Sequence, residues 1–235
     1  MARFVLRVWL PDRPGALGEL ATRLGEAGGD LIGIAILERD GGFAVDEITV
    51  ATSDDAGEAA LADAVARTSA ARLEDLRPAT ERLPYPGADA LSLAVELSRS
   101  GTVRTLAGTV VHGAGAVFAA DWVALVDSSP QRRAPLTAGE APPAGWLSGF
   151  LSGVGAQRVP PGEQPPGPGD VAWAFLEASC TGIVVGREGP PFRSRERRQL
   201  AELAVIADCR WRELRGRRGG AHPSRSAAPF SDRAS

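Results

Sequence analysis

Apolar and polar positions alternate from the start of the chain. Phe4, Leu6, Val8 and Leu10 fall on one side and Val5, Arg7 and Trp9 on the other, and Pro11 closes the run. This is the period of a half-buried strand. Pro14 suits the first position of a helix, and Leu17, Leu20, Ala21, Leu24 and Ala27 then recur every three or four residues up to Gly28-Gly29, which predicts a helix with a glycine stop. The uncharged run from Leu31 to Leu37, the turn Arg39-Asp40-Gly41-Gly42 and the strand-like stretch from Phe43 to Thr52 predict a hairpin. A helix from about Ala56 to Ser69 follows, with Leu61, Ala64, Val65 and Thr68 inward, and then a short strand from Ala71 to Leu76. The order is βαββαβ, the ferredoxin-like split βαβ arrangement.

The second half has its own periodicity. Helices are predicted at Ala90 to Ser98 and Thr102 to Val117, and a buried strand at Trp122 to Asp127. From Ser128 to Gly169 the chain is crowded with Pro and Gly and reads as a long loop. Within it Trp146, Leu147, Phe150 and Leu151 support one short helix from Gly145 to Leu151. Two strands, Val171 to Leu176 and Thr181 to Arg187, are joined in hairpin fashion by residues 177–180. A closing helix runs from Ser194, a candidate cap, to Leu214, with Leu200, Leu203, Ala204, Ala207, Trp211 and Leu214 inward. The whole is α+β, with a ferredoxin-like domain at 1–78, a linker at 79–87 and an α+β domain at 88–214, whose terminal helices cover one face of an antiparallel sheet. Residues 215–235 lack the apolar content to repay ordering and are expected to be a disordered tail.

The length of 235 residues suits two small domains or one large one, and 44% hydrophobic and 23% charged residues are the composition of a globular protein. All 26 basic residues are Arg, and against 29 acidic ones they leave a net charge of −3. Nothing global draws the chain to nucleic acid or to an anionic membrane. No apolar run approaches the length of a bilayer span, and the N-terminus enters strand-like alternation without a cleavable signal pattern, so a cytoplasmic location is expected. Cys180 and Cys209 lie far apart in apolar company and read as buried free thiols, with a disulfide or ligand pair as the alternative.

Catalytic constellations are not found. His112 lies in a Gly-rich helical run and reads as a packed or half-exposed helical histidine, and His222 lies in the tail; neither has the setting of a triad. Without Lys there is no P-loop, and scattered His and Cys give no zinc spacing. Asp46 and Glu47 are adjacent, so a strand sends them to opposite faces and they form no carboxylate pair. The chain is expected to be no enzyme and to need no cofactor or metal.

Pro11-Asp12-Arg13-Pro14-Gly15-Ala16-Leu17, followed by Ala27-Gly28-Gly29-Asp30-Leu31, resembles the ACT domain, a small-molecule sensor module attached to enzymes of amino-acid metabolism. The resemblance covers Ala2 to Pro78. It implies side-by-side pairing of two copies through the second strand, with an amino acid held at the seam. The residues independently suit such a ligand. Backbone N–H groups at Gly15, Ala16 and Leu17 open a helix and favour a carboxylate, Gly15 leaves room for close approach, and Asp12 and Asp30 can accept from an ammonium. Asp12 and Asp30 belong to opposite ends of the helix, so they serve one ligand only if Asp30 comes from a neighbouring chain. The other reading is structural: Asp12 satisfies the helix start and Asp30 closes the turn after Gly29. The candidate ligand-binding set is Asp12, Pro14, Gly15, Ala16, Leu17, Asp30, Ile32 and Gly33. Strand 31–37 carries no charge and is an edge in a split βαβ sheet, which predicts a homodimer through it.

Thr181-Gly182-Ile183-Val184-Val185-Gly186-Arg187, leading through Gly189-Pro190-Pro191-Phe192 into Ser194-Arg195-Glu196-Arg197, and the earlier Asp121-Trp122-Val123-Ala124-Leu125-Val126 are similar to the GAF domain, a sensor module of bacterial signalling proteins. The similarity spans Gly87 to Leu214. It implies a GAF-like relay or dimerising domain with a reduced pocket, and a further protein as downstream partner. Two functions stand: a non-catalytic regulator that binds an amino acid or related small metabolite, or a protein-interaction scaffold with no small ligand.

Overall fold

Strand β1 (Ala2–Pro11) sends Leu6, Val8 and Leu10 into a core and Arg7 to the opposite face, as the alternation requires. The computed structural model describes residues 2–52, 57–79, 88–128, 134–155 and 170–219. The predicted linker from residue 80, the latter part of the Pro/Gly loop and residues 220–235 of the predicted tail, with His222, lie outside them.

The first sheet joins β1 with β2 (Gly29–Asp40), β3 (Phe43–Thr52) and β4 (Arg72–Pro78) in the order β2-β3-β1-β4, every pair antiparallel. Helices α1 (Ala16–Glu26) and α2 (Glu58–Ala66) cover one face. Leu20, Leu24, Leu61 and Ala64 pack there against Leu6, Val8, Ile48 and Val50. The predicted βαββαβ order is observed, with β2 and β4 as edges. Two details differ. The first helix starts at Ala16, because Gly15 occupies the position before it with φ +88°; Pro14 lies in the preceding turn. β2 is longer than the uncharged run and is broken by two bulges, at Ile32 and at Leu37, which tilt its side chains against β3.

The second unit is α+β with a four-stranded antiparallel sheet. Helices α3 (Ala88–Arg99) and α4 (Val103–Val117) precede β5 (Trp122–Asp127), β6 (Leu136–Gly139), α5 (Ala144–Gly155), β7 (Val171–Leu176), β8 (Thr181–Gly186) and α6 (Ser194–Gly219), and the sheet order is β6-β5-β8-β7. Thr102 caps α4 through a reciprocal capping box with Thr105. Alternation divides the sheet. Val123, Leu125, Ile183 and Val185 face α3, α4 and α6, whereas Val126, Trp173 and Val184 face α5 with Leu147 and Leu151. The stretch read as loop therefore contains an edge strand, too short at four residues to show a period, and a longer helix that covers the second face. The closing helix continues past Leu214 to Gly219, so Arg215, placed in the tail by composition, is helical. Cys180 and Cys209 are free but exposed, not buried. Cys180 tops the β7–β8 turn at φ +50°, and Cys209 lies on the outer side of α6, where apolar neighbours in sequence are not neighbours in space.

The two units meet across the uncovered face of the first sheet. Arg7, 2% exposed, donates from Nη2 to Glu196 Oε1 at 2.7 Å and from Nε to Glu47 Oε2 at 3.0 Å. Arg187 reaches the same Glu196 at 2.9 Å. Arg193 pairs with Glu38 at 3.0 Å and with Glu74, and its guanidinium lies 4.8 Å from the Trp9 ring centroid. Ser194, expected to cap α6, donates its hydroxyl across the junction to Glu38 at 2.6 Å. The Glu196 carboxylate instead accepts the Arg193 N–H at 2.8 Å, one half of a capping box.

Candidate functional site

The start of α1 is built by a tight loop. Asp12 N–H donates to Gly42 O at 2.9 Å, tying the end of β1 to the β2–β3 turn, and Arg13 N–H donates to Pro11 O at 2.8 Å. The chain then has to reverse into a helix, which Gly15 allows at positive φ. A side chain built at Gly15 would meet nothing within 4 Å, so this backbone faces open space.

Of the three N–H groups expected as ligand donors, two are left without a backbone acceptor among the described residues. Ala16 N–H is held at 3.3 Å by Arg13 O inside the loop, which removes it as a donor and corrects that expectation. Gly15 and Leu17 have no acceptor for their N–H among the described residues. Pro14 and Gly15 are exposed and Leu17 is half-buried. Asp12 makes no cap bond to the helix; its carboxylate is exposed and lies 3.9 Å from Arg39 Nε. The structural job considered for Asp12 is thus not performed.

Asp30, Ile32 and Gly33 lie elsewhere. Asp30 is exposed near the beginning of β2, opposite Ala51, Ile32 is the bulged residue, and Gly33 faces Thr49. β2 runs from there toward Asp40 over about 30 Å, and Asp40 adjoins the turn that Asp12 touches. One chain therefore does not bring Asp30 to Gly15. The β2 edge exposes Ile34 at 41% and Ile36 at 37%. Arg195 approaches this edge, its Nη1 lying 3.5 Å from Ile36 O.

One residue of this region entered the sequence reading only as a rejected carboxylate partner of Glu47. Asp46 is 4% exposed, lies between Val8 on β1 and Ile36 on β2, and faces the helix layer. Its Oδ1 is buried without a hydrogen-bond partner among the described residues. Burial pushes the carboxyl above its ordinary range; Arg39 opposes this and the Asp12 charge adds to it. Its neighbour Glu47 points to the other face, toward Arg7 and Arg77, as adjacency on a strand predicts. The available signal was an Asp at a core-facing parity between Ala44 and Ile48.

Away from this region, His112 is exposed on α4, with Nδ1 3.1 Å from Gly108 O. Among the described residues no group of His, Cys, Asp and Glu is placed to hold a metal ion, and no helix is long and apolar enough to cross a membrane. Residues 4–83 match the family model of the ACT domain. No curated protein matches the chain.

Proposed function

We propose, from the premise that residues 4–83 form an ACT domain, generally a regulatory small-molecule-binding domain, that the chain is a non-catalytic regulator. Its ligand is an α-amino acid or a related small metabolite, held where two copies pair through β2. The observation that carries this reading is the open end of α1: N–H groups of Gly15 and Leu17 without acceptors, next to the exposed carboxylate of Asp12. A zwitterion places a carboxylate and an ammonium close together, and such an end offers donors for the carboxylate with acidic side chains in the same region.

Strand polarity supplies the rest. α1 starts at the end of the sheet where β2 finishes, and Asp30 lies at the other end. Two β2 edges paired antiparallel about a two-fold axis bring Asp30 of the partner subunit to the Gly15 end. Exposed Ile34 and Ile36 then acquire cover. In this proposal the second unit, GAF-like in its sequence pattern, relays the change, and the ligand acts by preferring one arrangement of the two copies. A scaffold role without small ligand is favoured by a different observation, the exposure of Leu91, Val95 and Val205 on α3 and α6.

Thermal unfolding of the full chain against the twenty standard amino acids separates the two. A ligand at a hundred times its Kd adds ~2.7 kcal/mol of stability. A flat screen rejects a standard amino acid as the ligand and favours the scaffold. Gly15→Ala, which imposes left-handed strain of about 1–2 kcal/mol, is expected to lower the unliganded melting temperature slightly and to abolish the ligand shift. Ile34→Arg is expected to convert a sedimenting dimer into a monomer, and an unchanged sedimentation coefficient argues against pairing through β2.

A further inference from the structure

A carboxylate removed from water without a hydrogen bond is costly, and a folded chain that keeps one has a reason to do so. Asp46 has one such oxygen, Oδ1, and the residue lies on the helix-covered face of the sheet, in the half where α1 begins. Apart from the charge of Arg39, the described residues give it no compensation, and none gives Oδ1 a hydrogen bond. Val8 and Ile36 flank it on the neighbouring strands and are apolar. The only acidic side chain in the first turn of α1, Glu19, accepts from Ser69 N–H at 2.9 Å and lies 3.7 Å from Arg13. Arg39 of β2 and Asp12 of the loop are the charges it feels, and these two already lie 3.9 Å from each other.

We infer that Asp46 is the cation-recognising group of the ligand site, the carboxylate that receives the ammonium of a zwitterion whose carboxylate rests on the Gly15 and Leu17 N–H groups. This rests on the sensor reading above and extends it to selectivity. The site discriminates for the amine, so an amino acid is preferred to the 2-hydroxy acid of the same side chain. An arriving ammonium provides the missing partner, whereas a hydroxyl leaves the carboxylate with a single weaker donor. Because burial favours the protonated form of Asp46, affinity for the amino acid rises with pH as this carboxyl ionises. The 2-hydroxy acid, with one neutral donor, gains less from that ionisation.

The test uses the full chain and two probes: the L-amino acid that gives the largest thermal shift, and its 2-hydroxy-acid counterpart. Calorimetric titration of wild type is expected to give at least about tenfold tighter binding of the amine, the size of one hydrogen bond to a charged group. Asp46→Asn is expected to remove that preference and its pH dependence, with an unliganded melting temperature equal to or above wild type, since it deletes an unpaired charge. An Asn variant that still prefers the amino acid overturns the assignment and leaves the sensor reading intact. A wild type that binds no amino acid overturns both. Should the Asn variant not fold, the wild-type comparison decides alone: equal affinity for the two probes, or a flat pH profile for the amino acid, overturns the role of Asp46.

Discussion

Glu196→Ala lowers the stability of the full chain by about 3–5 kcal/mol, the penalty for removing one partner of a buried ion pair, as measured by urea denaturation at neutral pH. Glu196 is 6% exposed and accepts from Arg7, Arg187 and the Arg193 N–H. Its loss leaves two buried guanidinium groups with fewer acceptors and opens the amino end of α6. Burial alone would raise the Glu196 carboxyl, but Arg7 and Arg187 outweigh it and hold the group below its ordinary range. Its contribution is therefore present above the unfolded carboxylate pKa and is lost as pH falls through the folded one. Glu196→Gln keeps the shape without the charge, so the gap between wild type and this variant is expected to narrow in acid. A loss below about 1 kcal/mol, the size of an exposed pair, would show that the junction is not closed in solution.

Trp173→Ala is expected to cost about 3–5 kcal/mol, the range for emptying a large aromatic site in a core. Trp173 is 2% exposed and fills the space between the second sheet and α5. Phe150 meets it edge-on at 5.1 Å and stacks on Trp146 at 5.2 Å, and Trp146 in turn meets Trp122 edge-on at 6.4 Å. Removing the innermost ring leaves the rest of this row without its base. The expected signature beside the stability loss is protease cleavage within residues 144–155, which wild type resists. Trp173→Phe restores most of the volume and is expected to protect α5.

The alternation of β1 and the helical periods of α1, α2, α4 and α6 were legible because each is a local consequence of one buried face. The same logic reveals which face is covered, not what covers the other one. Arg7 reads as the outer side of a half-buried strand, yet its partner Glu196 lies 189 positions away, and no periodicity in either segment announces the other. Ser194 fails as a cap for the same reason: the acceptor it chooses, Glu38, belongs to a different unit. β6 escaped because its four residues carry too short a pattern. At the candidate site, the glycine turn was legible from Pro14-Gly15, but not that the Ala16 donor is turned into the loop. The pairing rule correctly separated Asp46 from Glu47, but it does not say that a single acid will be stranded under a helix.

Glu38 and Arg39 are consecutive on β2, directly after the bulge at Leu37. Their side chains leave opposite surfaces of the sheet: Arg39 toward Asp12 and Asp46, Glu38 toward Arg193 and Ser194. A rotation about the backbone here moves both at once, in opposite senses. A molecule that drew Arg39 aside would thereby tug on the first turn of α6, with no message carried through the hydrophobic interior of either half.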